Sequence, residues 1–304
     1  MKLVSRKKFL LSGISLISLP AFLSIKKEIS LKLSFSTLGC PDWSFDKIID
    51  FARANQYSGI EVRGILRQMD LPLVPEFLST DAISTTMKKM NDHGLKFVDL
   101  GSSCALHFQK GDERTKNLNE GKRFIDLAAK LNCPYIRVFP NQIPKDRDRE
   151  ETLTLIIEGL KELGTYASNS NVTVLLESHG ELIYKKDLLY VMEGAANPHV
   201  GLVWDVCNMW IVTKEPPEEV YTTLKSYIRH THIKDLKIEN GKEEYVLLGT
   251  GIVPIFAAID LLYKNNYPGY YSFEWEKLWH PEITEPQIAL ADYPLAIKKH
   301  FLQV

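Results

Sequence analysis

The sequence lacks the short motifs that bind nucleotide phosphates or present a covalent nucleophile. It contains no G-x-G-x-x-G and no P-loop, and no serine or cysteine stands in a nucleophile motif. The four cysteines form no C-x-x-C pair and no zinc-ribbon spacing, which indicates small buried side chains rather than metal ligands. A formal net charge of −1 also argues against a nucleic-acid partner, which usually requires a basic surface.

The amino terminus differs in composition from the rest of the chain. Residues 1–8 carry four basic side chains and no acid, and residues 9–25 are almost wholly apolar or small, a pattern typical of an export signal. Residues 5–10 resemble a twin-arginine signal in which Lys7 replaces the second arginine. The alternative is an uncleaved membrane anchor, because no A-x-A cleavage site is evident. We predict that residues 1–29 are an export signal or anchor, and that the protein is periplasmic.

The rest of the chain alternates between short apolar segments and segments with helical periodicity. The predicted strands are 31–36, 58–63, 95–100, 135–139, 173–177, 200–205, 228–232 and 270–274. Helices are predicted at 45–55, within 71–90, and at 117–131, 149–167, 186–194, 218–227 and 253–265, and a loop at 101–107. This rhythm predicts an α/β fold, a single (β/α)8 TIM barrel over residues 30–304, since such a barrel needs about 250 residues.

Polar side chains stand at the ends of the last four predicted strands. Glu177, Asp205 and Glu274 end the fifth, sixth and eighth strands, and the seventh strand ends in His230 and His232. The carboxyl ends of the strands of a parallel barrel meet on one face, where active sites lie. Three carboxylates there would repel one another unless a cation held them together, which predicts a divalent metal. For any one of these acids alone, a helix cap or a solvated loop position is the alternative.

The sequences at these strand ends resemble the xylose-isomerase-like TIM-barrel superfamily, which includes sugar isomerases and epimerases, inosose dehydratases, hydroxypyruvate isomerases and endonuclease IV. The resemblance covers about residues 31–300 and rests on LESHG at 176–180, WD at 204–205, HTHIKD at 230–235 and SFE at 272–274. It implies one divalent metal held by Glu177, Asp205, His232 and Glu274, with His230 as the alternative histidine ligand. It also implies that Glu177 and Glu274 move the proton, one on each face of the substrate.

The resemblance agrees with the chemistry of proton abstraction beside a carbonyl. Removing the proton gives an enediolate, which a divalent metal stabilises as a Lewis acid while nearby carboxylates act as base and then acid. Returning the proton to the same carbon gives an epimer, and returning it to the neighbouring carbon gives an isomer. Loss of a β-hydroxyl instead makes the enzyme a lyase or dehydratase. Mn²⁺, Mg²⁺, Co²⁺ and Zn²⁺ all suit mixed oxygen and nitrogen ligands.

Three positions depart from members of the superfamily. Asn208 stands where many members have a histidine three residues after the aspartate ligand, and asparagine cannot transfer protons near neutral pH. It remains a candidate for binding a substrate hydroxyl. Ile183 and Ile238 replace a glutamate and an arginine of the ketohexose epimerases. These departures argue against an epimerase of free ketohexoses and leave the general isomerase or epimerase function.

Three more residues near the predicted strand ends are candidates for binding substrate. His179 lies two residues after Glu177 and shares its side if the strand continues, the alternative being a loop position. Lys234 lies two residues after His232 and is expected to bind a substrate oxygen or an acid. His107 falls in the loop predicted after the third strand and is a further candidate for lining the site.

Other charged residues at or within the predicted strands have an ion-pair alternative. Lys277 is either a substrate contact or the partner of Glu276. Arg137 lies among apolar neighbours on the fourth strand, where an unpaired charge is costly. We expect Arg137 either to contact substrate or to pair with Glu61 or Asp99.

Tryptophans follow three of the predicted strands. They are Trp43, Trp210, Trp275 and Trp279. Aromatic faces stack on the apolar faces of sugar rings, so several tryptophans beside one mouth favour a carbohydrate ligand. Each tryptophan taken alone indicates packing in the core.

We therefore predict an exported, divalent-metal-dependent isomerase or epimerase of a small-molecule carbohydrate. The alternatives are a lyase or dehydratase acting on a keto-sugar, and a barrel that binds a carbohydrate without turning it over. A nuclease of the endonuclease IV type would need a trinuclear site and a basic surface, which eight histidines and a balanced charge do not support. The sequence indicates no oligomeric state, and no membrane contact beyond residues 1–29.

Overall fold

The computed structural model describes residues 31–303, which form a closed barrel of parallel strands with helices between them. The strands are Leu33–Ser36 (β1), Gly59–Val62 (β2), Lys96–Ala105 (β3), Tyr135–Phe139 (β4), Thr173–Glu177 (β5), Val200–Asp205 (β6), Ile228–Ile233 (β7), Asp235–Glu239 (β8), Lys242–Val246 (β9) and Tyr271–Phe273 (β10). The α-helices are Phe45–Ala54 (α1), Thr80–Asp92 (α2), Asp112–Lys130 (α3), Arg149–Ala167 (α4), Lys185–Ala195 (α5), Val206–Thr213 (α6), Pro217–Leu224 (α7), Ile255–Lys264 (α8) and Pro286–Gln303 (α9).

The order of strands around the barrel is β1-β10-β7-β6-β5-β4-β3-β2, closing on β1. Neighbouring barrel strands are parallel, whereas β8 and β9 form a separate antiparallel hairpin. Parallel strands covered by helices are buried on both faces, and every residue of β1, β2 and β6 is buried. This closed barrel of eight parallel strands confirms the predicted (β/α)8 fold.

The helices begin where polar side chains can satisfy their first amides. The Ser44 hydroxyl accepts from the amide of Lys47 at the start of α1, and the Ser79 hydroxyl accepts from the amide of Ala82 in α2. Asp205 ends β6 and also caps α6, because its carboxylate accepts from the amide of Asn208. A strand-end carboxylate therefore holds the turn into the next helix and stays fixed at the barrel mouth.

The hairpin β8–β9 is inserted between β7 and α8 and was not predicted from the sequence. Its base is held by Asp235, whose two carboxylate oxygens accept four backbone amides at 2.9 to 3.2 Å. The amides come from Leu236 at the start of the hairpin and from Gly249, Gly251 and Val253 beyond its end. Both ends of the insertion are thus fixed to one buried side chain.

Three other elements differ from the sequence prediction, one of them α9, where no helix was predicted. Residues 101–105 continue β3 instead of forming a loop, with a register shift between Gly101 and Ala105 where β3 pairs with β4. The short helix α6 was also missed, because its apolar residues follow β6 without a break in hydrophobicity. The predicted export signal at residues 1–29 lies outside the described residues. Within residues 31–303, no helix is long and apolar enough to cross a bilayer.

Candidate metal centre and active site

Four side chains converge at the carboxyl ends of neighbouring strands. They form what we call the acid–histidine quartet: Glu177 of β5, Asp205 of β6, His232 of β7 and Glu274 after β10. The strand register places Asp205 beside His232 and Ser272 beside His232, so the quartet follows from the order of the barrel. One potential ligand atom from each member lies within 4.8 Å of the others, and all four side chains are buried.

His232 lies at the centre of the quartet. Its Nδ1 is 3.2 Å from Glu177 Oε1, 3.3 Å from Glu274 Oε1 and 3.9 Å from Asp205 Oδ2. Its Nε2 faces the other way, 3.2 Å from Glu61 Oε2. Burial lowers the pKa of His232, but Glu274, Glu61 and Glu177 together outweigh burial and hold that pKa well above its ordinary value. One ring nitrogen thus faces three carboxylates while the other faces a fourth.

The donor set fits a divalent metal ion. Three carboxylates and one imidazole are the mixed oxygen and nitrogen ligands that Mn²⁺, Co²⁺ or Zn²⁺ accept. The buried atoms Glu177 Oε2 and Asp205 Oδ2 accept no hydrogen bond of good geometry, and each is met only by an ion-pair contact, from Arg137 and Lys234 respectively. Burial raises the pKa of Asp205 to about 7, even though Lys234 opposes this shift. Burial and mutual repulsion both disfavour the ionised form of these carboxylates, and a bound cation would stabilise that form.

Lys234 lies against the quartet, and its ammonium contacts acids, one of the two kinds of partner considered for it. Its Nζ is 2.8 Å from Asp205 Oδ2, 2.6 Å from Glu274 Oε2 and 2.5 Å from Glu276 Oε1. The lysine is buried, with 1% of its surface exposed. Tyr245 of the hairpin donates its hydroxyl to the same Glu276 oxygen at 3.1 Å, so β9 contributes to the site.

A cavity of about 230 Å³ opens over the quartet. Its lining contains two of the predicted substrate-binding residues, His179 and Lys234, and both predicted proton carriers. The lining residues are Leu38, Arg63, Arg137, Phe139, Glu177, His179, Lys234, Glu274, Glu276 and Trp279. Because the usual range for drug-sized ligands begins at about 300 Å³, this volume favours a smaller molecule.

Three predicted substrate-binding residues do not line this cavity. The ring of His107 packs against Phe108, with centroids 4.1 Å apart. Asn208 is half-buried on α6, where its backbone amide is capped by the preceding aspartate. Lys277 bonds Glu285 at 2.9 Å and two carbonyls of its own loop, so its ammonium is already engaged away from the cavity. The His107 and Lys277 side chains are held by contacts within their own segments, and none of the three residues is among those that line the cavity.

The predicted ion-pair partners of Arg137 are wrong. Arg137 pairs with Glu177, its Nε 3.1 Å from Oε2, rather than with Glu61 or Asp99. Its guanidinium also lies 3.8 Å from the ring centre of Phe139. Arg137 takes this partner because the two strands are neighbours and both side chains point into the barrel.

The expected pair between Glu276 and Lys277 does not form. Both residues lie in the loop beyond β10, where Glu276 contacts Lys234 and Lys277 contacts Glu285. The acid lines the cavity, whereas the lysine bonds the loop before α9. Their separate contacts therefore distinguish a site residue from a structural one.

Of the four tryptophans near the mouth, only Trp279 lines the cavity, and it is 53% exposed. Trp43 and Trp275 are buried in the core, and the Trp275 indole donates to the carbonyl of Thr284. Trp210 is half-buried beneath the ammonium of Lys214. A single aromatic at the rim is a weaker indication of a carbohydrate than the several that the sequence suggested.

Sequence reasoning did not assign Glu61, Arg63 and Glu276 to the site. Glu61 lies on β2 and Arg63 directly after it, two residues apart, and both side chains are buried. Two opposite charges with this spacing in an apolar strand are a signal that could have been read from the sequence. Glu61 contacts the quartet from below, and Arg63 lines the cavity above it.

Glu61 is placed to fix the orientation of His232, which gives a first prediction. Its Oε2 lies 3.2 Å from His232 Nε2 and accepts hydrogen bonds from His230 and Ser272 at 2.8 and 2.9 Å. Carboxylates behind a histidine ligand typically change metal affinity by about 10- to 100-fold. We expect Glu61→Gln to weaken Mn²⁺ binding by a factor in that range, measured by titration with electron paramagnetic resonance.

The control is Ser272→Ala, which removes a contact to Glu61 but leaves the carboxylate behind His232. We expect it to change Mn²⁺ affinity much less than Glu61→Gln does. Wild-type affinity in Glu61→Gln would show that this carboxylate plays no part in orienting the imidazole.

Known proteins that resemble this chain include one protein family and several solved structures. A family described as xylose isomerase-like TIM barrel matches residues 49–292. No curated protein sequence matches the chain significantly. The crystal structure of the probable 3-DHS dehydratase AsbF from Bacillus anthracis is 18% identical, with a TM-score of 0.71, covering 88% of this chain and 98% of that one.

Two further solved structures share the fold. The IOLI protein, crystallised with a zinc atom, is 18% identical with a TM-score of 0.73, covering 88% of this chain and 98% of that one. The 3-keto-D-glucoside 4-epimerase of E. coli is 15% identical with a TM-score of 0.68, covering 89% of this chain and 100% of that one. At these identities the likeness establishes the fold, and it extends over nearly the whole described barrel.

Proposed function

The chain belongs to the xylose isomerase-like TIM-barrel family, and we propose that it is a divalent-metal-dependent isomerase or epimerase of a small carbohydrate. The reaction would begin by removing a proton from a carbon beside a carbonyl. One observation carries this proposal: the buried acid–histidine quartet lies under a small cavity, and two of its carboxylates also line that cavity. A barrel that only bound sugar would need neither feature.

The residues of the site have separate roles in the proposed reaction. A divalent ion bound by the quartet would act as a Lewis acid on the substrate carbonyl. Burial raises the pKa of both Glu177 and Glu274. His232 and Arg137 more than offset this for Glu177, and His232 and Lys234 do so for Glu274, so both pKa values are lowered. Both carboxylates are therefore ionised near neutral pH, and each can accept a proton from substrate in the cavity.

A lyase or dehydratase is the second candidate, because the cavity holds a charged ammonium, Lys234, and an imidazole, His179, that can hydrogen-bond a leaving hydroxyl. Burial lowers the pKa of Lys234, but Asp205, Glu274 and Glu276 raise it well above its usual value and keep the ammonium charged. Burial also lowers the pKa of His179, which favours the neutral ring. The B. anthracis relative is described as a probable dehydratase, which supports keeping this reaction in the test.

Proton exchange with solvent tests the shared first step. The purified protein, loaded with Mn²⁺, is incubated in heavy water with a panel of keto-sugars that includes a 3-keto-glucoside, because the E. coli relative is named for that substrate. We expect loss of a C–H signal beside the carbonyl in nuclear magnetic resonance spectra, and no such loss when a chelator is present from the start. Epimer, isomer or unsaturated product then identifies the reaction. Binding without exchange for every sugar would indicate a carbohydrate-binding barrel.

Metal content gives a separate prediction. We expect one divalent ion per chain in the purified protein, measured by plasma mass spectrometry, and its loss in Asp205→Ala because a ligand oxygen of the quartet is removed. Asn208→Ala is the matched control, since Asn208 lies on the same turn but outside the quartet. About three zinc ions per chain would favour a nuclease instead. No metal after incubation with Mn²⁺ or Zn²⁺ would contradict the proposal.

A further inference from the structure

We propose that Arg63 binds a carboxylate of the substrate, which makes the substrate a sugar acid rather than a neutral sugar. This inference rests on the proposed function, because it concerns a ligand of the same cavity. Arg63 follows β2, lines the cavity, and is 5% exposed. A buried guanidinium is rare unless an anion compensates its charge.

The other cations of the cavity wall contact acids directly, whereas Arg63 is influenced by Glu120, Glu177 and Glu274 only from a distance. Arg137 pairs with Glu177, and Lys234 contacts three carboxylates. Arg63 has no carboxylate within 4.0 Å among residues 31–303. It donates instead to the Gly101 carbonyl at 3.3 Å and the Ser103 hydroxyl at 2.9 Å, both neutral acceptors. A guanidinium has five N–H donors, so part of its fork can bond a ligand.

A second observation strengthens this inference: Arg63 and Arg137 share one wall. A side chain at Gly101 would lie 2.8 Å from Arg63 Cδ and 3.0 Å from Arg137 Nη2, so glycine makes room for both guanidinium groups. Burial and the neighbouring Arg137 lower the pKa of Arg63 to about 9, which leaves it charged near neutral pH. Two like charges held side by side in a buried wall favour an incoming anion.

The surroundings favour a carboxylate over a phosphate. Arginine forks match the planar carboxylate with two parallel hydrogen bonds. Phosphate sites commonly use the amides of a helix N-terminus, and none of the lining residues belongs to the first turn of an α-helix in the described barrel. The small cavity suits a single-ring or short open-chain acid. The quartet would hold the carbonyl end of such a molecule, and Arg63 its carboxylate.

The test compares acids with their neutral counterparts on the Mn²⁺-loaded protein by isothermal calorimetry. The pairs are D-glucuronate with D-glucose, D-galacturonate with D-galactose, and 2-keto-D-gluconate with D-fructose, and D-fructose 6-phosphate is the phosphate probe. We expect at least one acid to bind about 10- to 100-fold more tightly than its neutral partner, the range for a hydrogen bond to a charged group. Arg63→Gln should abolish this preference, so that each acid binds no more tightly than its neutral partner.

Two variants complete the design. Arg63→Lys keeps the charge without the fork and should retain only part of the preference, and it replaces Arg63→Gln if that protein does not fold. Arg229→Gln removes an exposed arginine at the opposite end of the barrel and should keep the full preference. Thermal unfolding of each variant verifies folding before binding is compared.

The inference would be overturned if no acid bound at millimolar concentration, or if no acid bound more tightly than its neutral partner. It would also be overturned if the preference for acids survived in Arg63→Gln, or if the phosphate ester bound more tightly than every acid. Failure of the proposed enzyme function is a different result, because it would appear as missing metal or missing proton exchange whichever ligand binds.

Discussion

Replacing Glu274 by glutamine is expected to slow proton exchange and turnover by about 10²- to 10⁴-fold, the contribution of a positioned acid or base. Glu274 lines the cavity, with Oε1 3.3 Å from His232 Nδ1 and Oε2 2.6 Å from Lys234 Nζ. Glutamine has the same shape and retains one oxygen for a metal, but its amide cannot take up a proton. The variant should therefore lose rate far more than it loses ligand binding.

Rates are measured by deuterium exchange, and Mn²⁺ affinity is measured in parallel. The matched control is Glu276→Gln, because Glu276 contacts the same lysine and lines the same cavity but does not belong to the quartet. We expect a much smaller loss of rate there. A wild-type rate in Glu274→Gln would remove Glu274 from the chemistry. An equal loss in both variants would instead indicate that the charge balance around Lys234 controls the rate.

Replacing Lys234 by methionine is expected to lower the free energy of unfolding of the metal-free protein by about 3–5 kcal/mol. The ammonium is the shared counter-ion of Asp205, Glu274 and Glu276, which are buried or nearly so. Methionine fills a similar volume without charge, so these acids would lose their cation inside the barrel. They would then repel one another or bind protons, and either result destabilises the folded state.

The stability experiment uses urea unfolding in the presence of a chelator, so that a bound cation cannot take over the role of the lysine. Lys185→Met is the control, because Lys185 also pairs with two acids, Glu215 and Glu219, but near the surface. Surface pairs contribute about 0–1 kcal/mol, and we expect a change of that size. A loss for Lys234→Met as small as that for Lys185→Met would show that the buried acids do not depend on this ammonium.

Much of the fold could be predicted because a parallel barrel leaves a strong pattern in its sequence. Strands buried on both faces appear as apolar runs, and the runs at 135–139, 173–177 and 200–205 match β4, β5 and β6 in both bounds. The hairpin β8–β9 leaves no such pattern, since its residues are largely exposed and charged. The helix α6 was not predicted because its residues are as apolar as those of the strand before it, so no boundary between the two is visible in the sequence.

The sequence could predict that the four side chains of the quartet lie close together, because the ends of the barrel strands fix their positions. Each member of the quartet lies on or directly after a barrel strand, and the structure brings all four together. Their roles as ligands and proton carriers remain predictions for the experiments above. His107 and Lys277 belong to connecting segments, whose side chains are turned by contacts within the same segment, to Phe108 and Glu285 respectively. Such contacts cannot be read from spacing along the sequence.

Because the Asp235 carboxylate holds both ends of the β8–β9 hairpin, the hairpin can be altered independently of the barrel. The carboxylate bonds amides at both ends of the insertion, and a side chain at Gly251 would collide with Asp235 Oδ1. The tip, where Asn240 and Gly241 take positive φ angles, lies beyond this anchor. Changes in length or sequence at the tip would therefore leave the barrel intact, while substitution of Tyr245 would reach the cavity through Glu276. The hairpin is the natural place to exchange segments when altering selectivity by engineering.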